Sequence, residues 1–388
     1  MNKNIFLLAS IFLIISCKKN NDSTGSDPGD AHDCVTGAST GNNEIISGQY
    51  IISFNPSINS RTTSRISLDE TSKNILRRNA INVSALKKSF VGEPGGFIAK
   101  MSASEAEALR NDEAVEAIEP DRIISLSHCF TVVEPRLVTW NITRVGYGNG
   151  IGKTAWIIDS GIDFEHNDLT VDQARSRSFI DGQTSADDNN GHGTHVAGII
   201  GAKNNTFGVL GVASGASLVA LKVLDGTGEG NLSYIIQALA YINTTAAAGD
   251  VVNMSVGGES GSAILDQQVK NTAARGIYFS IAAGNEGKLA NLSSPARANG
   301  DNIYTITAVD STDVFASFSN YGNDVVDLAA PGVRILSTWT DNRYAYASGT
   351  SMAAPHVAGL LLLRGRNMTT SGFAKNDPDG TPDPIAHY

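Results

Sequence analysis

From about Thr131 onward, apolar runs of strand length alternate with segments of helical periodicity. Strands are expected over 153–158, 217–223, 251–254, 277–282, 303–308 and 325–329. Helices are expected over 194–200, 232–248, 263–275 and 352–363. A chain written this way folds as α/β, a mostly parallel sheet flanked by helices, because parallel neighbours need a crossover and the crossovers are helical. In such a sheet, functional groups gather at the carboxyl ends of the strands. The 388 residues allow more than one domain, and 41% hydrophobic with 18% charged residues describes an ordinary globular chain. A net charge of 29 − 39 = −10 argues against a nucleic-acid partner, which asks for a basic face. Three cysteines are too few for a disulfide scaffold.

Ahead of this pattern the chain reads as three pieces. Lys3 precedes an apolar run over 5–15 that is too short to span a bilayer, so 1–16 reads as an export signal. Residues 17–45 are rich in Asn, Asp, Ser, Thr and Gly and read as a flexible tether, since they bury too little apolar surface to fold. Residues 46–128 read as a small α+β, ferredoxin-like domain. Its strands are expected over 49–54, 85–90, 96–100 and 115–119, with helices over 68–80 and 102–109, the second opened by the capping serine Ser102.

Three motifs carry chemistry in the large domain, which spans 129–388. The first expected strand runs into Asp159-Ser160-Gly161-Ile162-Asp163, so a carboxylate stands at a strand end. By itself Asp159 is only a turn residue. Asn190-Gly191-His192-Gly193-Thr194-His195 then opens a helix. His-x-x-His is not the i, i+4 pair of a zinc helix, so His195 reads as a packed helix residue. Residues 348–359, SGTSMAAPHVAG, place Ser351 behind Gly349 at the start of an apolar helix. A helix N-terminus offers free N–H groups to a developing oxyanion. Together Asp159, His192 and Ser351 supply a hydroxyl nucleophile, an imidazole to take its proton and a carboxylate to orient the imidazole.

The order Asp…His…Ser, with the flanks DSGID, HGTHVAG and SGTSMAAPHVAG, resembles the subtilisin family, nearest its proteinase-K-like branch, over about 130–365. Residues 46–128 resemble that family's inhibitory propeptide, which ends close to Ile118-Glu119-Pro120-Asp121. The resemblance implies a serine endopeptidase working through an acyl-enzyme on Ser351 and made as a self-processed zymogen. Asn285 and the Ser351 N–H would be the oxyanion donors. Ser255 and Gly257, with Ala283 and Gly284, would wall the primary pocket, with Glu286 at its rim, and Gly228 and Gly230 would form the opposite edge of the cleft. The chemistry needs no cofactor. A structural calcium ion is implied at Asp327, ahead of Leu328-Ala329-Ala330-Pro331-Gly332. The run Ile14-Ile15-Ser16-Cys17 resembles a bacterial lipoprotein signal, which makes Cys17 the lipidation site and the lipid the sole membrane contact. Polypeptide substrates and the chain's own propeptide are the expected partners of a monomeric, exported, cell-envelope enzyme. The cut is expected near 125–130, with Cys34 and Cys129 either paired or free. The rival is a catalytically silent binding lipoprotein of the same fold, which a substitution at a triad position would favour, and none is present. The stretch 372–388, with NDPDGTPDP, is polar and turn-rich and is expected to be loose.

Overall fold

In a computed structural model of the chain, residues 43–56, 65–92, 94–125, 131–132 and 138–388 are described. The export signal, nearly all of the tether, Cys17, Cys34, Cys129 and positions 126–130 lie outside the described residues.

The small domain is built from β1 (Ile45–Phe54), α1 (Arg65–Arg78), β2 (Leu86–Phe90), β3 (Gly96–Lys100), α2 (Ala103–Leu109) and β4 (Val115–Ser125). Ser102 caps α2 in a capping box: its hydroxyl accepts from the Glu105 N–H while Glu105 accepts from the Ser102 N–H. β1 pairs antiparallel with both β3 and β4. Alternation along β1 divides its side chains between two layers. Ile52 and Phe54 face Leu68, Ile75 and Leu76 of α1, whereas Ile51 joins a core shared with the large domain. The sheet starts earlier than expected, because Asn43 N–H and Glu44 C=O already bond to Ile123. β4 also runs six residues beyond the expected 115–119.

The large domain contains α3 (Trp140–Val145), β5 (Thr154–Asp159), α4 (His192–Gly201), β6 (Ser217–Lys222), β7 (Glu229–Asn231), α5 (Leu232–Thr245), β8 (Val251–Met254), α6 (Ala263–Ala273), β9 (Tyr278–Ala282), β10 (Ile303–Val309), β11 (Leu328–Pro331), β12 (Ile335–Trp339), β13 (Arg343–Ala347), α7 (Thr350–Arg364), β14 (Thr369–Phe373) and β15 (Pro384–His387). The main sheet has nine strands in the order β14-β15-β11-β10-β9-β8-β5-β6, closed by the short strand Arg177–Ser178. Its pairings are parallel except β14–β15. Both faces are buried, which is why its strands read as unbroken apolar runs. Ala155 and Ile157 of β5 pack with Val196 of α4 and Val357 of α7. Trp156 and Ile158 pack in the opposite core with Ile235 and Leu239 of α5 and Val269 of α6.

The expected α/β architecture is therefore observed, with one correction and two omissions. The stretch 372–388 is not loose. β15 lies parallel to β11 through Ala329↔Ile385, and Ile385 and Ala386 are buried. Its polar residues find partners inside the fold: the buried Asp383 carboxylate accepts from Thr307 Oγ1 at 2.6 Å. The antiparallel hairpin β12–β13 and the short helix α3 were not expected from the sequence pattern.

Candidate active site

The three candidate residues lie at element ends, and the two helices among those elements pack together. Asp159 is the last residue of β5, His192 the first of α4, and Ser351 lies in the first turn of α7. All three are buried, Ser351 at 8% exposure. Asp159 Oδ1 lies 2.7 Å from His192 Nδ1 and accepts from the Ser160 N–H at 2.7 Å. The helix opening on His192 is anchored by Asp188. Asp188 Oδ1 accepts from Ser160 Oγ and from the N–H groups of Asn190 and Gly191, and Oδ2 accepts from the N–H and hydroxyl of Thr194. Ser160 Oγ accepts in turn from the Gly193 N–H at 2.9 Å. Asp188, Ser160 and Thr194 thus tie the strand end of the acid to the helix of the imidazole.

Ser351 enters α7 behind Gly349, whose φ of 153° and ψ of 161° lie in a region essentially closed to residues with a Cβ. Pro355 sits early enough in α7 that its missing N–H is tolerated. Ser351 Oγ donates to the Ser255 carbonyl at 3.2 Å, and Ser255 Oγ donates to the Ser351 carbonyl at 2.8 Å. Asn285 is fixed from the same turn: its Oδ1 accepts from the N–H of Thr350 at 2.8 Å and its hydroxyl at 3.0 Å. Thr350 Oγ1 also accepts from the Gly284 N–H. Because Thr350 holds Oδ1, the donor end of the amide is oriented by the residue that precedes Ser351.

A pocket of about 60 Å³ opens beside Ser351. Ser255, Val256 and Gly257 form one wall, and Ala283, Gly284 and Asn285 another. Gly257 is required there, since a Cβ would stand 2.9 Å from the Ser294 carbonyl oxygen. Glu286 also lines the pocket, its Oε2 accepting from Asn320 Nδ2 at 2.8 Å. Gly230 lies on the other edge, within β7, and Gly228 in the turn before it. That edge is taken: β4 pairs antiparallel with β7 through Glu229↔Ser125, Gly230↔Ile124 and Asn231↔Ile123. The small domain thus adds a strand to the large one, as an extended peptide would.

Two carboxylates that the sequence pattern did not single out hold this contact. Asp121 is fully buried and accepts from the Ser233 N–H at 3.0 Å, near the start of α5, as well as from Ser233 Oγ and Gln49 Nε2. Burial pushes its carboxyl up from the ordinary value. Glu119 accepts from the hydroxyl of Ser262, the residue capping α6. Burial pushes Glu119 up to about 7, with Asp266 and Asp121 adding to the rise and Ser262 and Arg297 opposing it.

His195, three residues beyond His192, is a packing residue as expected. It is fully buried, its Nε2 lies 3.0 Å from the carbonyls of Ile335 and Ala345, and burial lowers it to about 3. Asp327 Oδ2 accepts from the Thr305 N–H, and burial raises its carboxyl to about 6. Among the described residues no group of three or more His, Cys, Asp or Glu is placed to hold a metal ion. Asp327 is therefore a lone carboxylate, and the rest of a calcium ion's oxygen ligands would have to come from other groups.

Residues 152–369 match the subtilase family and residues 49–127 match the peptidase inhibitor I9 family. The chain belongs to the subtilase family. It is 41% identical over 273 residues to a thermostable alkaline protease of Halalkalibacterium halodurans, covering 68% of this chain and 71% of that one. It is 38% identical over 303 residues to subtilisin E of Bacillus subtilis, covering 72% and 76%. Against alkaline serine exoprotease A of Vibrio alginolyticus it is 35% identical over 332 residues, covering 82% of this chain and 60% of the relative. A crystal structure of a cold-adapted subtilisin-like serine proteinase superposes with a TM-score of 0.57 at 33% identity, over 65% of this chain and 98% of the other. This subtilase is a serine endopeptidase carrying an inhibitory propeptide, and the small domain is that propeptide.

Proposed function

We propose that this subtilase hydrolyses peptide bonds through an acyl-enzyme on Ser351 and releases itself from its own propeptide. The contact between Asp159 and His192, with α4 packed against the helix that carries Ser351, carries the reading. His192 takes the Ser351 proton as the hydroxyl attacks, then gives a proton to the leaving amine. Asp159 holds the imidazole in the tautomer that presents its other nitrogen to the hydroxyl. The Asn285 amide and the Ser351 N–H stabilise the tetrahedral oxyanion, each donor supplying about 3–4 kcal/mol. Substrate lies as an added strand between Gly230 and the Ser255–Gly257 wall, with its leading side chain in the small, mostly uncharged pocket. Labelling with a fluorophosphonate probe and mapping the modified residue tests this. Ser351 is the expected site, and labelling that persists in Ser351→Ala overturns the assignment, as the silent-lipoprotein rival would if the wild-type chain took no label.

The same reading places the self-cut near 125–130, just after the paired end of β4. It extends to export and lipid anchoring at Cys17, supported by the short apolar run that ends in Ile14-Ile15-Ser16-Cys17. No helix among the described residues is long and apolar enough to cross a membrane. Asp327 ahead of Leu328-Ala329-Ala330-Pro331-Gly332 supports the proteinase-K-like branch, and we take the enzyme as a monomer. At Asp327 a calcium ion would add stability without entering the chemistry. Calcium that binds the native state alone raises the melting temperature with concentration, and identical curves in chelator and in excess calcium remove it.

A further inference from the structure

Lys222 is the last residue of β6 and is only 1% exposed. Its Cα pairs in register with that of Asp159. An ammonium buried this deeply persists only where acceptors and counter-charges replace water. Nζ donates to the Ser160 carbonyl and, at 2.8 Å, to Asn189 Oδ1. Ser160 follows the acid directly, and Asn189 lies in the loop that leads into His192. We infer that Lys222 is a positioning residue for peptide hydrolysis, clasping the loop of Asp159 to the loop of His192 through its two hydrogen bonds. The inference rests on the Asp159–His192–Ser351 reading.

A neutral donor would satisfy two acceptors equally well, so the surroundings must explain the charge. Burial lowers the Lys222 ammonium from its ordinary value, while Asp188, Asp159, Asp225 and Asp187 favour its charged form. Those four anions come from the ends of β5 and β6 and from the loop before α4. His195, on the same helix as His192, adds no positive charge, being held neutral by burial. Lys222 is therefore the cation that answers this acidic cluster. Without it the two loops lose the contact that ties them, and buried anions are left uncompensated.

The role is tested by mutation of the full chain, purified after self-processing. Activity is counted per fluorophosphonate-labelled site, so a change in folded fraction does not enter. Lys222→Met removes the clasp. We expect kcat to fall about tenfold or more with KM within about twofold. Asn189→Ala removes one clasp contact and leaves the ammonium in place. We expect kcat to fall by less, again with KM within about twofold. A Lys222→Met enzyme with wild-type kcat per site overturns the inference, as does a loss confined to KM. If Lys222→Met yields no folded enzyme, Asn189→Ala decides, since wild-type kcat per site in that variant removes the clasp. Failure of the triad reading looks different, because Ser351→Ala would then still hydrolyse peptide.

Discussion

The propeptide and the protease domain bury their sheets in different ways. The protease sheet is covered on both faces by helices of its own domain: Ala155 and Ile157 meet α4 and α7, while Trp156 and Ile158 meet α5 and α6. The propeptide sheet has its own helices on one face only. Ile52, Phe54 and Phe97 face α1, whereas Ile51, Phe90 and Ile98 belong to the core formed with α5 and α6 of the protease. The outer face of the propeptide sheet is thus buried by the protease it inhibits. The carboxylates differ in the same sense. Asp188, inside the protease domain, receives hydrogen bonds on both oxygens from Ser160, Asn190, Gly191 and Thr194. Glu119, at the propeptide contact, is buried against the Ser262 hydroxyl and is pushed up to about 7. A permanent site saturates its charges. At the propeptide contact Asp121 is likewise bonded on both oxygens, by Ser233 and Gln49, so the poorly compensated carboxylate there is Glu119.

The largest effect should come from breaking the protease side. Ser351→Ala should lower kcat about a millionfold, the size usual when a triad member is removed, and the chain should remain one uncut piece on a gel. Appearance of the two processed fragments in pure Ser351→Ala would show that another agent makes the cut. Asn285→Leu should lower kcat by about a hundredfold to a thousandfold with little change in KM, because its bond forms mainly in the transition state. An unchanged kcat would take Asn285 out of the oxyanion hole.

The propeptide side should break with pH. In the complex Glu119 titrates near 7, against an ordinary value of 4.5. The complex therefore favours the protonated carboxyl. Its contribution to holding the propeptide is complete below about 4.5 and is lost as pH rises through 7. The lag before full activity should shorten about tenfold between pH 5 and pH 8. Glu119→Gln, which stays neutral, should flatten that dependence. Equal pH profiles for wild type and Glu119→Gln would assign the lag to another group.

What the sequence made legible follows the same division. The central strands were readable to within a residue or two, because burial on both faces leaves uninterrupted apolar runs such as Ala155–Ile158. Asp159, His192 and Ser351 stand out in the sequence because each sits in its own recognisable motif, and each lies at an element end. Groups whose role depends on a distant partner were not. Lys222 closes a strand and looks like its polar end, and only the fold brings Asn189 to it. Glu119 and Asp121 reach helices more than a hundred positions away. The β12–β13 hairpin reads as a polar linker because Ser337 and Thr338 are buried by donating to the carbonyls of His195 and Thr194. Strand β15 was hidden in the same way by Asp383, whose partner Thr307 is 76 positions distant.

The smallest expected effect sharpens the comparison at the pocket itself. Glu286 lines the pocket but is half-buried, and one of its oxygens is engaged by Asn320. A carboxylate in that state attracts a substrate Lys through partly screened solvent, so its influence resembles that of a surface pair more than a buried one. The other lining residues are small and carry no charge near Ser351 apart from Glu259. Glu286→Gln keeps the Asn320 contact and removes the charge. It should lower kcat/KM for peptides with Lys at the cleaved position about threefold to tenfold, which corresponds to about 0.7–1.4 kcal/mol, and leave Phe and Leu substrates unchanged. The difference should shrink as salt is added. A peptide library in which Lys substrates fare no worse with Glu286→Gln would make this carboxylate a support for Asn320 and leave the pocket's preference to its shape.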